Sequence, residues 1–153
     1  MDTTAGGPGE KAMWNRTRNH WLLKTEPSQY SYDDLEVEES TVWDGITNPL
    51  ALRYLRDIQR GDALMIYHTG NERAVVGIAR CTRPAMASEV GTEWGWPEIA
   101  AVGRLPRPVS LQELKDSEAF QGSPLLRQGR LSVLPLTALQ WEVIERLASV
   151  GRR

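Results

Sequence analysis

The sequence predicts an α+β fold, a small mixed β-barrel with short helices at its periphery. The apolar runs are short and end at proline or glycine, which is typical of short strands. Helix-start signals recur between those runs, and the two kinds of element do not alternate in the regular rhythm of a parallel α/β fold. The length of 153 residues is enough for one domain with its own core and too short for two.

The chain divides into a tail and a folded domain. Glycine and proline at positions 6–9 break any regular element, so residues 1–18 are predicted to form a flexible N-terminal tail. The folded domain is expected to cover residues 19–150, because the first strand signal begins at His20 and helix signals continue to the C-terminal end.

The first elements are a strand, a short helix and a second strand. The segment His20–Thr25 is predicted to be a strand, and Pro27 ends it because proline lacks the N–H group that a sheet ladder needs. Ser31 is a suitable N-cap for a helix over Tyr32–Leu35, since its hydroxyl can accept a hydrogen bond from a free amide. A short strand is predicted over Thr41–Trp43.

A helix and a hairpin follow. Asn48 and Pro49 start the helix, the first as a cap and the second at a position where a missing N–H costs nothing. Two strongly apolar strands over 63–68 and 74–81 are joined by the five-residue loop 69–73, which predicts a β-hairpin. Apolar residues at helical spacing give the helix one buried face, at Ala51, Leu55 and Ile58.

The C-terminal half has weaker strand signals and clear helix starts. Residues 83–95 are predicted to form a loop, followed by a short strand over Ile99–Val102. Ser110 and Thr137 each open a capping box, so a short helix is expected after the first and the last helix after the second. A short strand is predicted over Leu131–Leu134. The last helix directs three apolar residues inward, Ile144, Leu147 and Ala148.

Charge and cysteine content exclude several classes of protein. Eighteen basic and twenty acidic residues give a net charge of −2. Proteins that bind nucleic acid through many phosphate contacts are usually strongly basic, so this class of protein is not expected. The one cysteine, Cys81, excludes an intramolecular disulfide and a cysteine zinc site. No apolar run suits a secretory signal or a membrane span, so a cytoplasmic location without membrane contact is expected.

Four segments place polar or aromatic residues where a purely structural strand would not need them. The first lies at the end of the first predicted strand, and the third ends a strand that is expected to be buried. The four segments are 24–27 (Lys-Thr-Glu-Pro), 43–48 (Trp-Asp-Gly-Ile-Thr-Asn), 67–70 (Tyr-His-Thr-Gly) and 127–133 (Arg-Gln-Gly-Arg-Leu-Ser-Val).

Motifs around these segments occur in an order that is specific to one family. The chain resembles the EVE domain family, a branch of the PUA-like superfamily, in five motifs: WLLKTEP, VWDGITN, GDALMIYHTG, LPRPVSLQEL and RLSVLPLTALQW. The resemblance covers about residues 20–148. It extends to the thymocyte nuclear protein family and, more distantly, to YTH domains, which hold a methylated adenine in an aromatic cage. It implies a PUA-like barrel whose pocket reads a modified or flipped base in nucleic acid.

Carried over residue by residue, the resemblance implies a pocket with aromatic walls and a polar floor. Lys24 and Thr25 would form the floor and Trp43 a wall, while Arg130 would meet a phosphate or brace the pocket. The residues expected to complete the pocket are Asp44, Gly45 and Asn48 beside the wall, Tyr67, His68 and Thr69 opposite it, and Trp94 or Trp96 as a second wall. No metal and no cofactor are expected. DNA is slightly favoured over RNA as the partner, and the oligomeric state is left open.

The chain departs from the family pattern near the same pocket. The common form has serine where Thr25 stands and arginine where Thr47 stands. Residues 49–53 also differ from the usual run of tyrosine, glutamine, alanine, arginine and asparagine. Two or three polar positions of the expected nucleic-acid face are therefore replaced.

Two other functions are compatible with the same residues. Asp44 and His68 could act as a general-base pair on Thr25 or Ser132, which would make the chain a small hydrolase or a base-processing enzyme. A degenerate module that binds only a protein or a small metabolite is the third hypothesis. Binding without catalysis is preferred, because such residue sets arise easily by chance in any chain.

Several conspicuous residues have a simpler structural interpretation. Trp21 and Trp141 are expected in the core, and His20 is expected to be structural. Cys81 lies in an apolar strand, so we expect a buried small hydrophobe rather than a nucleophile. Lys24 could form a surface ion pair with Glu26, which would contribute little.

Overall fold

The computed structural model describes residues 19–91 and 93–150, so the predicted tail over residues 1–18 lies outside the described part. The strands are β1 (His20–Thr25), β2 (Ser40–Val42), β3 (Ala63–His68), β4 (Ala74–Arg83), β5 (Glu98–Ser110) and β6 (Val133–Leu136). The helices are α1 (Tyr32–Glu38), α2 (Pro49–Asp57), α3 (Leu111–Lys115), α4 (Pro124–Arg127) and α5 (Ala138–Ser149), with a 3₁₀ turn at Glu118–Phe120.

The strands form one mixed sheet in the order β2-β5-β4-β3-β1-β6. β1 pairs in parallel with β3 and antiparallel with β6, and the remaining neighbours are antiparallel. Register shifts between β3 and β4 and between β4 and β5 bend the sheet, because a bulge increases the local twist. The result is a half-barrel with short helices around it, which confirms the predicted fold class.

The core packs the central strands against the helices. All six residues of β3 are buried, and Trp21 and Trp141 are also buried, as predicted. Cys81 is fully buried, and this burial raises the pKa of its thiol to about 11. The thiol is therefore protonated at neutral pH and is a poor nucleophile.

Each predicted helix start is confirmed by a side-chain cap. Backbone amides three residues further along the chain donate hydrogen bonds to the side chains of Ser31, Asn48, Ser110 and Thr137. The apolar face predicted for α2 is buried at Ala51, Leu55 and Ile58. Among the described residues, no helix is both long and apolar enough to cross a membrane.

The prediction is wrong about the length of β5. This strand covers 13 residues instead of the expected Ile99–Val102, although it contains Pro106 and Pro108. Both prolines lie between residues 104 and 109, where the pairing with β4 skips several positions, so they interrupt no pairing. Three other elements differ slightly from their predicted ranges. β6 begins two residues later than predicted and β2 begins one residue earlier. α1 continues to Glu38 instead of ending at Leu35. The 3₁₀ turn and α4 were not predicted, although Ser123 and Pro124 give α4 the same kind of start as Asn48 and Pro49 give α2.

Candidate functional site

A cavity of ≈ 440 Å³ opens beside Trp43, and we call it the Trp43 pocket. Thr25 ends β1 and Thr41 lies on β2, although three strands separate β1 from β2 in the sheet. The curvature of the half-barrel therefore brings two distant strand ends to one cavity. Its volume falls within the ~300–1,000 Å³ range of small-molecule sites. The lining residues are Thr25, Tyr30, Thr41, Val42, Trp43 and Asp44.

Two aromatic rings form a corner in this pocket. The ring centroids of Tyr30 and Trp43 lie 6.0 Å apart and their planes make an angle of 81°. Trp43 is 7% exposed, and its backbone amide donates to the carbonyl of Pro97 at 2.8 Å. The indole is thus held firmly, yet it borders an open cavity rather than a sealed interior. Such a corner presents one ring face and one ring edge to a flat ligand.

The second aromatic wall is Tyr30, which the sequence analysis did not select. Its hydroxyl donates to the Glu38 carboxylate at 2.5 Å. Burial, together with this hydrogen bond, raises the pKa of Tyr30 to about 12, so the phenol stays neutral at physiological pH. Tyr30 reaches the pocket through the turn after β1, in which its amide donates to the carbonyl of Glu26 at 2.9 Å, and no sequence periodicity indicates that turn.

Thr25 and Asp44 contribute polar groups to the pocket lining. The Thr25 hydroxyl donates to the carbonyl of Tyr30 at 2.7 Å, which fixes the aromatic wall and leaves the hydroxyl oxygen as an acceptor. Asp44 is exposed and forms no hydrogen bond with another described residue, so its carboxylate can accept from a ligand. Gly45 has φ +80°, a conformation that favours glycine.

Lys24 and Tyr67 lie together, and neither lines the Trp43 pocket. The Lys24 ammonium donates to the carbonyl of Gly129 at 3.0 Å and lies 5.6 Å from the centre of the Tyr67 ring. Burial lowers the pKa of Lys24. No ion pair joins Lys24 to Glu26 in the described part of the chain. Arg130, which follows Gly129, is exposed.

His68 serves the structure rather than the pocket. Its Nε2 accepts a hydrogen bond from the Tyr32 amide at 3.0 Å, and its Nδ1 lies 2.7 Å from the Glu72 carboxylate. The neutral ring therefore carries its proton on Nδ1, and both nitrogens are engaged. Thr69 donates its amide to the carbonyl of Thr25 at 2.9 Å, and Asn48 caps α2. These polar groups satisfy backbone atoms.

The two tryptophans that were expected to form a second wall, Trp94 and Trp96, do not line the Trp43 pocket. Trp94 is 41% exposed, and the Arg56 guanidinium lies 4.8 Å from the centre of its ring. Trp96 is half-buried, and both indoles border a separate small cavity. Of the residues named from the sequence, the structure brings Thr25, Trp43 and Asp44 together in one pocket.

A six-stranded mixed half-barrel with a few short helices is the fold of PUA-like domains. Residues 19–147 match the model of the EVE domain family. The chain therefore belongs to the EVE domain family, in agreement with the order of its motifs. Within the described residues, no group of three or more potential ligands is arranged to hold a metal ion.

Similar proteins match this chain over most of their length. Thymocyte nuclear protein 1 of Rattus norvegicus is 26% identical over 170 residues, covering 88% of this chain and 75% of the relative. A hypothetical protein from Leishmania major has a TM-score of 0.82 and 29% identity, covering 91% and 99% of the two chains.

Two further solved structures were determined with nucleic acid. The human THYN1 protein in complex with 5-methylcytosine containing DNA has a TM-score of 0.78 and 24% identity, covering 88% of this chain and 99% of that one. The YTH domain of Zygosaccharomyces rouxii MRB1 in complex with N6-methyladenosine RNA has a TM-score of 0.57 and 11% identity, covering 90% and 88%. At these identities the likeness shows a shared fold.

Proposed function

We propose that this protein binds nucleic acid by holding one modified or flipped base in the Trp43 pocket, without chemical reaction. The observation that carries the proposal is the perpendicular pair of Tyr30 and Trp43 beside free polar groups in an open cavity of ≈ 440 Å³. A flat heterocycle can stack on one ring while its edge meets the polar rim. Two proteins of similar fold, each described in complex with a methylated nucleic acid, support this assignment.

The pocket offers separate groups for affinity and for selectivity. Stacking on an aromatic side chain contributes ~1–3 kcal/mol per base without reading its identity. The Asp44 carboxylate and the Thr25 hydroxyl oxygen can accept from amino or imino groups on the edge of a flipped base. A methyl group buried beside Trp43 or Val42 would add ~0.8 kcal/mol. We therefore expect a moderate preference for a methylated base.

The enzyme hypothesis has less support. A general base needs a free nitrogen or oxygen close to the reacting group. Both nitrogens of His68 are engaged by Tyr32 and Glu72, and His68 does not line the pocket that contains Asp44. The pocket itself offers a carboxylate and hydroxyls but no imidazole. Binding is therefore the simpler function for this arrangement.

A binding panel tests the proposal. Fluorescently labelled oligonucleotides, single-stranded and duplex, DNA and RNA, would carry 5-methylcytosine, N6-methyladenine or the unmodified base. We expect saturable binding with the tightest Kd for one methylated base. Trp43→Leu keeps apolar bulk in the core but removes the stacking face, so it should weaken binding about tenfold or more. We slightly favour DNA, since the DNA-bound neighbour is the more similar of the two.

Controls separate loss of stacking from loss of folding. Trp43→Phe retains an aromatic face and should bind within a few-fold of wild type, and both variants should unfold at temperatures close to each other. The proposal is wrong if no oligonucleotide binds, in which case a protein or metabolite ligand becomes the better hypothesis. Product formed from an oligonucleotide after long incubation would instead favour an enzyme.

A further inference from the structure

An exposed tryptophan lies outside the Trp43 pocket. Trp94 is 41% exposed, although tryptophan is on average among the more buried residues of folded proteins. The Arg56 guanidinium of α2 lies 4.8 Å from the centre of its ring. No ion pair engages Arg56 in the described part of the chain, so no carboxylate draws the guanidinium away from the ring. We call the exposed part of this indole, together with Arg56, the Trp94 surface.

Backbone pairing and the contact with α2 hold this indole in place. Trp94 forms an isolated antiparallel bridge with Ala87, and the Gly95 amide donates to the carbonyl of Met86 at 2.8 Å. The indole also borders a small cavity that residues of α2 line from the other side, among them Leu52 and Arg56. The exposed ring surface is therefore pre-organised, which reduces the entropic cost of binding a ligand to it.

The Trp94 surface is close to the Trp43 pocket along the chain. The Trp43 amide donates to the carbonyl of Pro97 at 2.8 Å, and Pro97 follows Trp94 by three residues. Three residues of extended chain span at most ~11 Å. A B-form nucleic-acid strand advances ~3.4 Å per nucleotide, so this distance corresponds to roughly three nucleotides. A strand that places one base in the Trp43 pocket therefore has a nearby nucleotide within reach of Trp94.

We propose that the Trp94 surface stacks a second, unpaired base of the same strand, within about three nucleotides of the base in the Trp43 pocket. This inference rests on the proposed function, because the pocket determines where the strand runs. An aromatic ring accepts any base, so the contact adds affinity without sequence preference. Stacking needs no phosphate contact, which suits a chain with a net charge of −2. Arg56 would position the indole through its contact with the ring.

Two probes of different length test the Trp94 surface separately from the pocket. One is a single-stranded DNA heptamer with 5-methylcytosine at its centre, or N6-methyladenine if the binding panel favours it, and the other is the corresponding methylated nucleoside. Trp94→Leu should weaken binding of the heptamer by about fivefold or more and leave binding of the nucleoside unchanged. Trp43→Leu should weaken both. Trp94→Phe keeps an aromatic face and should bind the heptamer within a few-fold of wild type. Leu139→Ala removes another exposed apolar side chain and should bind both probes like wild type.

Abasic substitutions in the heptamer locate the stacked base. Each base that flanks the methylated one would be removed in turn, and the Kd measured with wild type and with Trp94→Leu. We expect one flanking position at which loss of the base weakens wild-type binding by about fivefold or more and has no effect in the variant, because both changes remove the same contact. The slope of log K against log salt should be equal in wild type and Trp94→Leu, since an indole carries no charge.

The outcomes separate this inference from the proposed function. The inference alone is overturned if Trp43→Leu weakens binding of the heptamer while Trp94→Leu does not. It is also overturned if no flanking abasic site loses its effect in Trp94→Leu, because the indole then stacks no base. If the heptamer does not bind the wild type, or if neither variant weakens its binding, the proposed function fails together with the inference.

Discussion

Tyr32 shows how a single side chain fixes a helix of this protein to its sheet. The residue is fully buried, and its hydroxyl donates to the carbonyl of Ile78 at 2.6 Å and accepts from the amide of Gly103 at 2.9 Å. The Arg104 guanidinium lies 5.5 Å from the ring centre. The ring also lies against β4 at Gly77, where a Cβ atom would be 2.6 Å from two ring carbons. Position 77 therefore requires glycine because of this contact.

Gly77→Ala should destabilise the fold, because the new methyl group would displace a ring that two hydrogen bonds hold in place. Overpacking of this kind typically lowers the free energy of unfolding by ~1–3 kcal/mol. Urea denaturation monitored by tryptophan fluorescence would show a lower midpoint with an unchanged m value.

Gly103→Ala is the matched control on the neighbouring strand. A Cβ atom there has no neighbour within 4 Å, and the amide that bonds Tyr32 is retained. Its stability should lie within ~0.5 kcal/mol of wild type. Equal losses in both variants would show that strand conformation, rather than contact with the ring, sets the cost at position 77.

Some residues of the candidate site can be predicted from the motif order and others cannot. Thr25 ends β1 and Trp43 and Asp44 follow β2, all three within family motifs, and they share one cavity. Tyr30 reaches the same cavity only because the turn after β1 folds back, which no periodicity indicates. His68 has the polarity of a binding residue but serves the backbone of α1 instead. A sequence does not distinguish a side chain that satisfies an amide from one that faces a ligand.

The helices of this protein depend on reciprocal caps, because most of them are too short to be stable alone. In α3, the Ser110 hydroxyl accepts from the Glu113 amide at 3.1 Å, and the Glu113 carboxylate accepts from the Ser110 amide at 2.9 Å. Arg107 on β5 donates to both oxygens of the same carboxylate, at 3.0 and 2.6 Å. One carboxylate thus joins the helix start to the strand that precedes it.

Glu113→Gln should lower stability at neutral pH and abolish part of its acid dependence. The hydrogen bonds from Arg107, followed by those from Ser110, lower the pKa of Glu113 to about 2. Because the folded-state pKa is depressed, this stabilisation is complete above the ordinary pKa near 4.5 and is lost as the pH falls towards about 2. Urea midpoints at pH 7, 4 and 2.5 should show wild type and variant converging at low pH. A constant difference between them would contradict this origin of the stability.

Elements are predictable where the signal is local and missed where it is not. The caps at Ser31, Asn48, Ser110 and Thr137 involve only three or four successive residues, and each helix begins where the sequence predicts. β5 is different, because its length depends on its partners. β4 and β2 both pair with it, and a shift in the β4 register accommodates its two prolines. That pairing lies outside any short window of the chain.

At the scale of the whole molecule, the curvature of the sheet creates the binding geometry. β1 lies between β3 and β6, while β2 is at the far edge, yet β1 and β2 both reach the Trp43 pocket. The fold class follows from composition, motif order and short apolar runs. The strand order does not, because short strands of similar hydrophobicity can pair in many ways.

The whole-molecule charge predicts a weak dependence of nucleic-acid affinity on salt. A protein with a net charge of −2 that selects one base in a pocket would neutralise few phosphates. The slope of log K against log salt should therefore be no steeper than about −3, which corresponds to roughly three phosphates. Fluorescence anisotropy from low to moderate potassium chloride, with the tightest oligonucleotide of the panel, measures this slope.

Arg130 is the residue that should contribute to that slope. It is exposed, forms no ion pair among the described residues and follows Gly129, whose carbonyl accepts a hydrogen bond from Lys24. Removing a side chain that contacts one phosphate makes the slope shallower by about 1, so Arg130→Gln should have this effect. Arg107→Gln removes the same charge from a guanidinium already paired with Glu113, so the slope should not change. If both variants reduce the slope equally, Arg130 acts through net charge alone. A wild-type slope of about −6 or steeper would mean that a broad phosphate interface, rather than one pocket, supplies the affinity.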